Sequence, residues 1–228
     1  MVKKSMKYFP VNLDVTGKPC LVVGGGRVGL RKVRTLLRCD AQVTVVSPDF
    51  DKGFEPLKGI VQLLDKAYES HDLAGQFLVF AATDSPTVNQ QVKSDARDRN
   101  ILCNIADDPD GSQFVLPAIV QRGDLVVTVS TSGKSPALAK RVKHDLEAYF
   151  GPEYGAFLLL MGEIRKRLLA AGHDPDHHRV VFHTLINKGL LQMVAQKDEE
   201  AIDDLIHEVA GLDERFGAFV SGQSEVQD

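Results

Sequence analysis

Apolar positions follow two regimes along the chain. In the first half, short apolar runs alternate with amphipathic stretches, and beyond Gly151-Pro152 only helical spacing remains. Residues 20–23 (Cys-Leu-Val-Val) form an apolar strand pattern that runs into Gly24-Gly25-Gly26-Arg27-Val28-Gly29. From Leu30 a helix is predicted, with Val28, Leu30, Val33, Leu36 and Leu37 at helical spacing. Residues 42–47, centred on Val43, Val45 and Val46, predict a second strand and complete a β-α-β unit. Further strands are predicted over 60–64, 77–82 and 101–105, a helical turn over 72–75 and a polar helix over 88–99. Upstream, Phe9, Val11 and Leu13 alternate with other residues and predict an edge strand or lead-in, punctuated by Pro10.

After about residue 112 the pattern changes. Residues 114–120 are apolar, Gly123-Asp124 reads as a turn, and 125–130 alternates Val and Thr as a strand. A polar loop, Thr131 to Pro136, leads into a helix over 137–150, with Pro136 near its start. This piece is too small to fold alone, and its exposed apolar edges predict pairing with another chain. Farther on, Leu158, Met161, Ile164, Leu168 and Leu169 make one amphipathic face, and 180–194 and 201–209 make others. Residues 223–228 read as a frayed tail. The expected fold class is α/β: a parallel-sheet nucleotide-binding domain over 1–112, a small α+β dimerisation domain over 113–150 and a helical domain over 151–228.

Composition narrows the function classes. The chain has 228 residues, 43% of them hydrophobic, enough for a real core. Its net charge of −4 gives no reason to expect nucleic acid. No apolar run approaches the length of a membrane span, and the basic start has no uninterrupted apolar stretch after it to act as a secretory leader. Cys20, Cys39 and Cys103 are widely spaced and form no C-x-x-C, so neither a disulfide framework nor a structural zinc site is expected. The expectation is a cytoplasmic protein.

The strongest chemical signal is G-x-G-x-x-G between a strand and a helix, which reads as a dinucleotide-binding turn of a Rossmann-type domain. Gly24 permits the tight turn, Gly26 lets a pyrophosphate approach the backbone, and Gly29 lets the helix pack on the strand. The helix start offers free N–H groups and a partial positive charge to phosphate. The second strand ends in Ser47-Pro48-Asp49, an acid arriving slightly late for the ribose hydroxyls. No arginine stands at 47–50 to meet a 2′-phosphate, so NAD is favoured over NADP. Thr83 ends one parallel strand and Asp107 another, on the edge where ligands sit; a cofactor contact and a general base are the functional readings, a helix cap and a solvated turn aspartate the bland ones. Gly133-Lys134-Ser135 is no Walker A loop, because its earlier glycine would fall at Thr128, and there is no G-x-S-x-G elbow. The His173 to His178 stretch and His144 read as a solvated loop and a surface helix histidine, and no metal ligand set is assigned. The bases of the first helix together with Lys134, Lys140, Arg141 and Lys143 offer a polyanion site as one reading, and on their own they read as surface charge.

Longer matches carry a family resemblance. FPVNLDVTGKPCLVVGGGRVGLRKVRTLL, AATDSPTVNQQV and ILCNIADDPDGSQFVLPAIVQRGDLVVTVSTSGKSPALAKRVK, in this order, resemble the precorrin-2 dehydrogenase / sirohydrochlorin ferrochelatase family, found alone or as the front part of sirohaem synthase. The resemblance implies a homodimer that oxidises precorrin-2 to sirohydrochlorin with NAD, and in some members inserts ferrous iron to give sirohaem. It places Arg27, Val28, Pro48 and Asp49 at the cofactor and makes Asp107 the catalytic acid-base group. It sets Ser132, Gly133, Lys134 and Ser135 beside the tetrapyrrole, whose carboxylates Lys134 and Arg141 would meet. The chain departs from some members in having Thr131 where they carry serine. It lacks the methyltransferase domain of longer members, so a stand-alone version is expected. The competing readings are a nucleotide-sensing module without catalysis and a dehydrogenase of another small substrate.

Overall fold

The structure is a computed structural model that describes residues 6–106, 108–172 and 174–221. The chain divides into two compact units, one ending at Leu116 and one beginning at Pro117.

The first unit is built on a five-stranded parallel sheet of β1 (Pro19–Gly25), β2 (Gln42–Phe50), β3 (Gln62–Asp65), β4 (Leu78–Ala81) and β5 (Leu102–Ile105), in the order β3-β2-β1-β4-β5. β1 is central, and its side chains alternate between the two faces. Cys20 and Val22 pack with Val33 of α1 (Arg27–Leu37), whereas Leu21 and Val23 pack with Val92 and Ala96 of α2 (Pro86–Asp98). Burial on both faces explains why these strands are continuous apolar runs. β2 and β3 are joined by a 3₁₀ turn, Lys52–Leu57, absent from the sequence expectation, and the predicted helical turn before β4 is 3₁₀ over Ser70–Leu73.

Three expectations change here. Helix α1 starts at Arg27, not Leu30, because Gly26 is its N-cap and the Leu30 N–H already bonds the Gly26 carbonyl at 2.9 Å. Of the edge strand and the lead-in expected upstream, residues 9–15 form the lead-in and no strand. Pro10 lacks an N–H and β1 already has partners on both sides, so Phe9 is left 84% exposed and Val11 65%. Residues 113 and 114 belong with the first unit: the Gln113 N–H bonds the Cys103 carbonyl at 2.9 Å, and the Phe114 ring meets Phe80 edge-on.

The second unit opens with an antiparallel hairpin, β6 (Ala118–Arg122) and β7 (Leu125–Val129), turning at Gly123-Asp124. Helix α3 (Pro136–Tyr149) follows, tied to β6 by the Arg122 guanidinium, which donates to the carbonyls of Glu147 (3.0 Å) and Phe150 (2.8 Å). A cation on the last carbonyls of a helix is the favourable arrangement. The remaining helices are α4 (Glu153–Ala170), α5 (Pro175–Asn187), α6 (Leu190–Gln196), α7 (Glu199–Ala210) and α8 (Ala218–Ser221). The expected helix over 180–194 is two, broken at Gly189, which adopts the left-handed region (φ +88°). The buried face of α4 runs through Phe157, Leu160, Ile164 and Leu168, and Leu169, assigned to that face from spacing, is 59% exposed. Leu158 and Met161 pack at its margin.

Among the described residues no helix is long and apolar enough to cross a membrane. The three cysteines are free thiols; Cys39 is exposed, and burial pushes both Cys20 and Cys103 up to about 11. A thiol-reactive dye at about pH 8 should therefore label Cys39 promptly and the other two only after denaturant is added, read as thiols per chain against time. Ile164→Ala, at a fully buried position, should lower stability by about 2–5 kcal/mol in a urea titration followed by circular dichroism.

Candidate active site

The carboxyl edge of the first unit's sheet is assembled around the glycine turn. Gly24 has φ +117°, and a Cβ there would run into the Ala82 carbonyl after β4. A Cβ on Gly29 would strike the Gly24 carbonyl and press on the Val22 side chain. Gly25 was given no role by spacing, yet its Cβ would meet the Asp49 carbonyl, so the end of β2 lies directly on the turn. Gly26 differs from the other three: a Cβ at Gly26 would have nothing within 4 Å. The open side of the turn is thus at Gly26, where α1 begins with no side-chain cap and no acid in its first turn. Such a helix start presents N–H groups and partial positive charge outward. Arg27 is exposed there and Val28 half-buried.

The end of β2 is stitched to this turn. Buried Ser47 donates its hydroxyl to the Asp49 carbonyl at 2.7 Å, and the Asp51 N–H donates to the Gly25 carbonyl at 2.8 Å. Pro48 and Asp49 are left exposed beside the glycines. Pairing of β1 with β2 slips at this point, from Val23 opposite Val46 to Gly25 opposite Phe50, and Asp49 lies within the slipped stretch.

Thr83 stands across the turn, after β4. Its N–H and hydroxyl both donate to the Asn89 side-chain oxygen, at 3.2 and 2.7 Å, and Asn89 Nδ2 donates back to the Thr83 carbonyl at 3.0 Å. Thr83 Oγ1 also accepts from the Ser85 N–H at 3.2 Å. The half-buried threonine is therefore held by its own loop, and Asn89, 9% exposed, is the residue that fixes it. Asn89 was missed as a site residue; the available signal was an asparagine on the inward face of a polar helix.

At the end of β5 the Ala106 N–H donates to the Ala81 carbonyl at 2.9 Å. Asp107, the expected catalytic acid, lies outside the described residues, as does His173 of the histidine stretch. Its neighbour Asp108 accepts from the Gly111 N–H at 2.8 Å, and Ser112 Oγ donates to the Asp108 carbonyl and accepts from the Ile105 N–H, both at 2.8 Å. Gln113 closes the outer edge of β5, its side-chain oxygen accepting from the Cys103 N–H at 2.9 Å. The described residues before and after position 107 are thus anchored to the sheet and to one another. Exposed Lys7 pairs with Asp110 and holds its carboxyl below the usual range.

The other expected substrate residues belong to the second unit. Ser132 (φ +51°), Gly133 and Lys134 form the exposed tip between β7 and α3, and Ser135 caps α3 by accepting from the Leu138 N–H at 3.2 Å. Thr131 Oγ1 accepts from the Ser135 N–H at 3.2 Å, so the threonine that replaces serine keeps a hydroxyl working in the loop. Arg141 is already engaged by Asp145, one turn on, at 3.1 Å. Among the described residues, no three His, Cys, Asp or Glu side chains gather as metal ligands.

The four glycines predict separable behaviour. Gly29→Ala should melt the first unit at markedly lower temperature, because the obstruction is backbone. Gly26→Ala should melt as the parent does, yet bind NAD about tenfold more weakly in a calorimetric titration.

Comparison with known proteins gives independent findings. An NAD(P)-binding family model matches residues 11–118, and one described as “Sirohaem biosynthesis protein central” matches 122–149. Siroheme synthase 3 of Aeromonas hydrophila is 36% identical over 203 residues, which are 88% of this chain and 43% of that protein. Siroheme synthase of Photobacterium profundum is 39% identical over 205 residues, 89% of this chain and 44% of that protein. The chain thus spans less than half the length of the curated relatives it matches. Among solved structures, SirC, a precorrin-2 dehydrogenase, superposes with a TM-score of 0.76 at 25% identity, covering 90% of this chain and all of that one. On these matches the chain belongs to the precorrin-2 dehydrogenase / sirohaem synthase family.

Proposed function

We propose that the protein oxidises precorrin-2 to sirohydrochlorin with NAD. The observation that carries this reading is the glycine turn, closed by backbone at Gly24, Gly25 and Gly29 and open at Gly26 beside an uncapped helix start. That shape fits a pyrophosphate, which needs close backbone approach and N–H donors rather than side chains. The likeness to SirC supports the substrate.

In this reading the turn from Gly24 to Gly29, with Arg27 and Val28, holds the dinucleotide, Pro48 and Asp49 flank its adenosine end, and the Thr83 loop, locked by Asn89, borders the nicotinamide end. When bound, the cofactor supplies the hydride acceptor. The substrate loses a hydride and a proton, two electrons in all, and Asp107 is the group that takes the proton. Its sequence position, two residues after the end of β5, supports that role, as do the bonds of Ser112 and Gln113 to β5 on the described chain that follows it. Ser132, Gly133, Lys134 and Ser135 would bind the macrocycle, Lys134 and Arg141 meeting its carboxylates. Because Arg141 is paired with Asp145, substrate must displace that exposed partner, at small cost.

The segment from Pro117 to residue 150 is read as a dimerisation domain and 151–228 as a helical one. α3 buries no residue, and Ile119, Val126 and Leu138 are exposed apolar side chains on β6, β7 and α3. A second copy of the chain is the partner that would cover them. The three free thiols fit a reducing compartment such as the cytoplasm.

The test is NADH formation from precorrin-2 and NAD, followed by absorbance. Turnover is expected, with Asp107→Asn lowering kcat by about 10²–10⁴ at little change in NAD affinity. Equal turnover in parent and variant would remove Asp107 as the base, and NAD binding without NADH formation would leave a nucleotide sensor. Iron insertion is read separately, as sirohaem formed from sirohydrochlorin and ferrous ion above the enzyme-free rate.

A further inference from the structure

Beside the glycine turn lies a groove of about 540 Å³ that the pyrophosphate reading leaves unused. It runs between α1 and the 3₁₀ turn Lys52–Leu57. Arg27, Arg31, Arg34 and Arg38 line one side, Asp51 and Gly53 the other. The arginine spacing of four, three and four residues puts all four on one face of α1. Like charges so placed repel one another unless an anion sits among them. Among the described residues, Arg27, Arg31 and Arg34 form no ion pair within 4.0 Å. The single carboxylate in the groove, Asp51, is turned to the backbone, its Oδ1 accepting from the Gly53 N–H at 2.8 Å.

The groove also lies where a dinucleotide's adenosine ribose would come. It begins at Arg27, the first residue after Gly26, and ends on the segment that Asp51 ties to the Gly25 carbonyl. A site selective for NAD places a carboxylate at the end of the second strand, where it bonds the ribose hydroxyls and repels a 2′-phosphate. Here the last β2 residue in register with β3 is Ser47, small, neutral and buried, with its hydroxyl spent on the Asp49 carbonyl, and the carboxylate at this end, exposed Asp49, stands two residues farther on, outnumbered by the arginines of the groove. The sequence offered no arginine at 47–50 to receive a phosphate. The structure brings arginines from the preceding helix alongside Asp51 and Gly53, the residues that follow β2.

We propose that this groove takes the 2′-phosphate of NADP, so that the protein accepts NADP alongside NAD, with Arg31 and Arg34 as specificity-determining residues. The proposal rests on the dinucleotide reading of the glycine turn. A phosphomonoester is the anion that planar, multidentate guanidinium groups suit best, and Arg34 reaches toward Gly53 across the groove.

Calorimetric titrations of the whole chain test this without turnover. NAD and NADP are compared on the parent, on Arg34→Ala and on the Arg31→Ala/Arg34→Ala double variant; ADP and adenosine 2′,5′-bisphosphate serve as fragments that differ by the same phosphate. In the parent NADP should bind at least as tightly as NAD, and the bisphosphate more tightly than ADP. Each arginine removed should lower the ratio of NADP to NAD affinity about tenfold. NADP binding tenfold or more weaker than NAD in the parent would overturn the proposal, as would a double variant that weakens both cofactors alike. If neither cofactor binds the parent, the dinucleotide reading fails and takes this inference with it, a result separable from NAD binding alone.

Discussion

Three backbone segments meet at the glycine turn with no room between them for a side chain. The Ala82 carbonyl fills the space a Cβ would need at Gly24, the Asp49 carbonyl does so at Gly25, and the Gly24 carbonyl does so at Gly29. This packing lets β1 pass into α1 within a single residue and draws the ends of β2 and β4 against the same point. The consequence is chemical as well as structural. Backbone closes the turn on three sides, and its remaining side, at Gly26, is open to another molecule at the helix start.

The polar residues around the turn serve mainly to hold loops. Ser47 bends the end of β2, Asn89 fixes the Thr83 loop, and Ser112 and Gln113 pin the chain on either side of the acid that follows β5. Each gives a partner to a backbone group without a ladder bond, past a strand end or on the open edge of β5. Rigid loops at the carboxyl edge are what a hydride-transfer site needs, since positioning supplies much of its rate.

The second unit follows a different balance. Its helices close a core through Leu160, Ile164, Leu168, Leu185 and Ile206, while the β6–β7 hairpin and α3 bury only Val120 among them. One part is complete within the chain and the other leaves apolar surface at Val126 and Leu138. The hairpin is nonetheless well defined, because Arg122 clamps it to the end of α3.

Periodicity alone determined the β-α-β order, the parallel sheet and the helical nature of the second half, since strand and helix repeats are local properties of the chain. The glycine spacing likewise named Gly24, Gly26 and Gly29, because each answers to a backbone requirement within a few residues of itself. Tertiary structure decided the rest. The role of Gly25 depends on Asp49 arriving from the next strand, that of Asn89 on a loop six residues before it, and the buried face of α4 on which helices surround it. The arginines of α1 read in sequence as a solvated face, and only the approach of Asp51 and Gly53 turns that face into a groove. A one-dimensional pattern records which side chains share a face, but what stands opposite that face is set by contacts between segments distant in sequence.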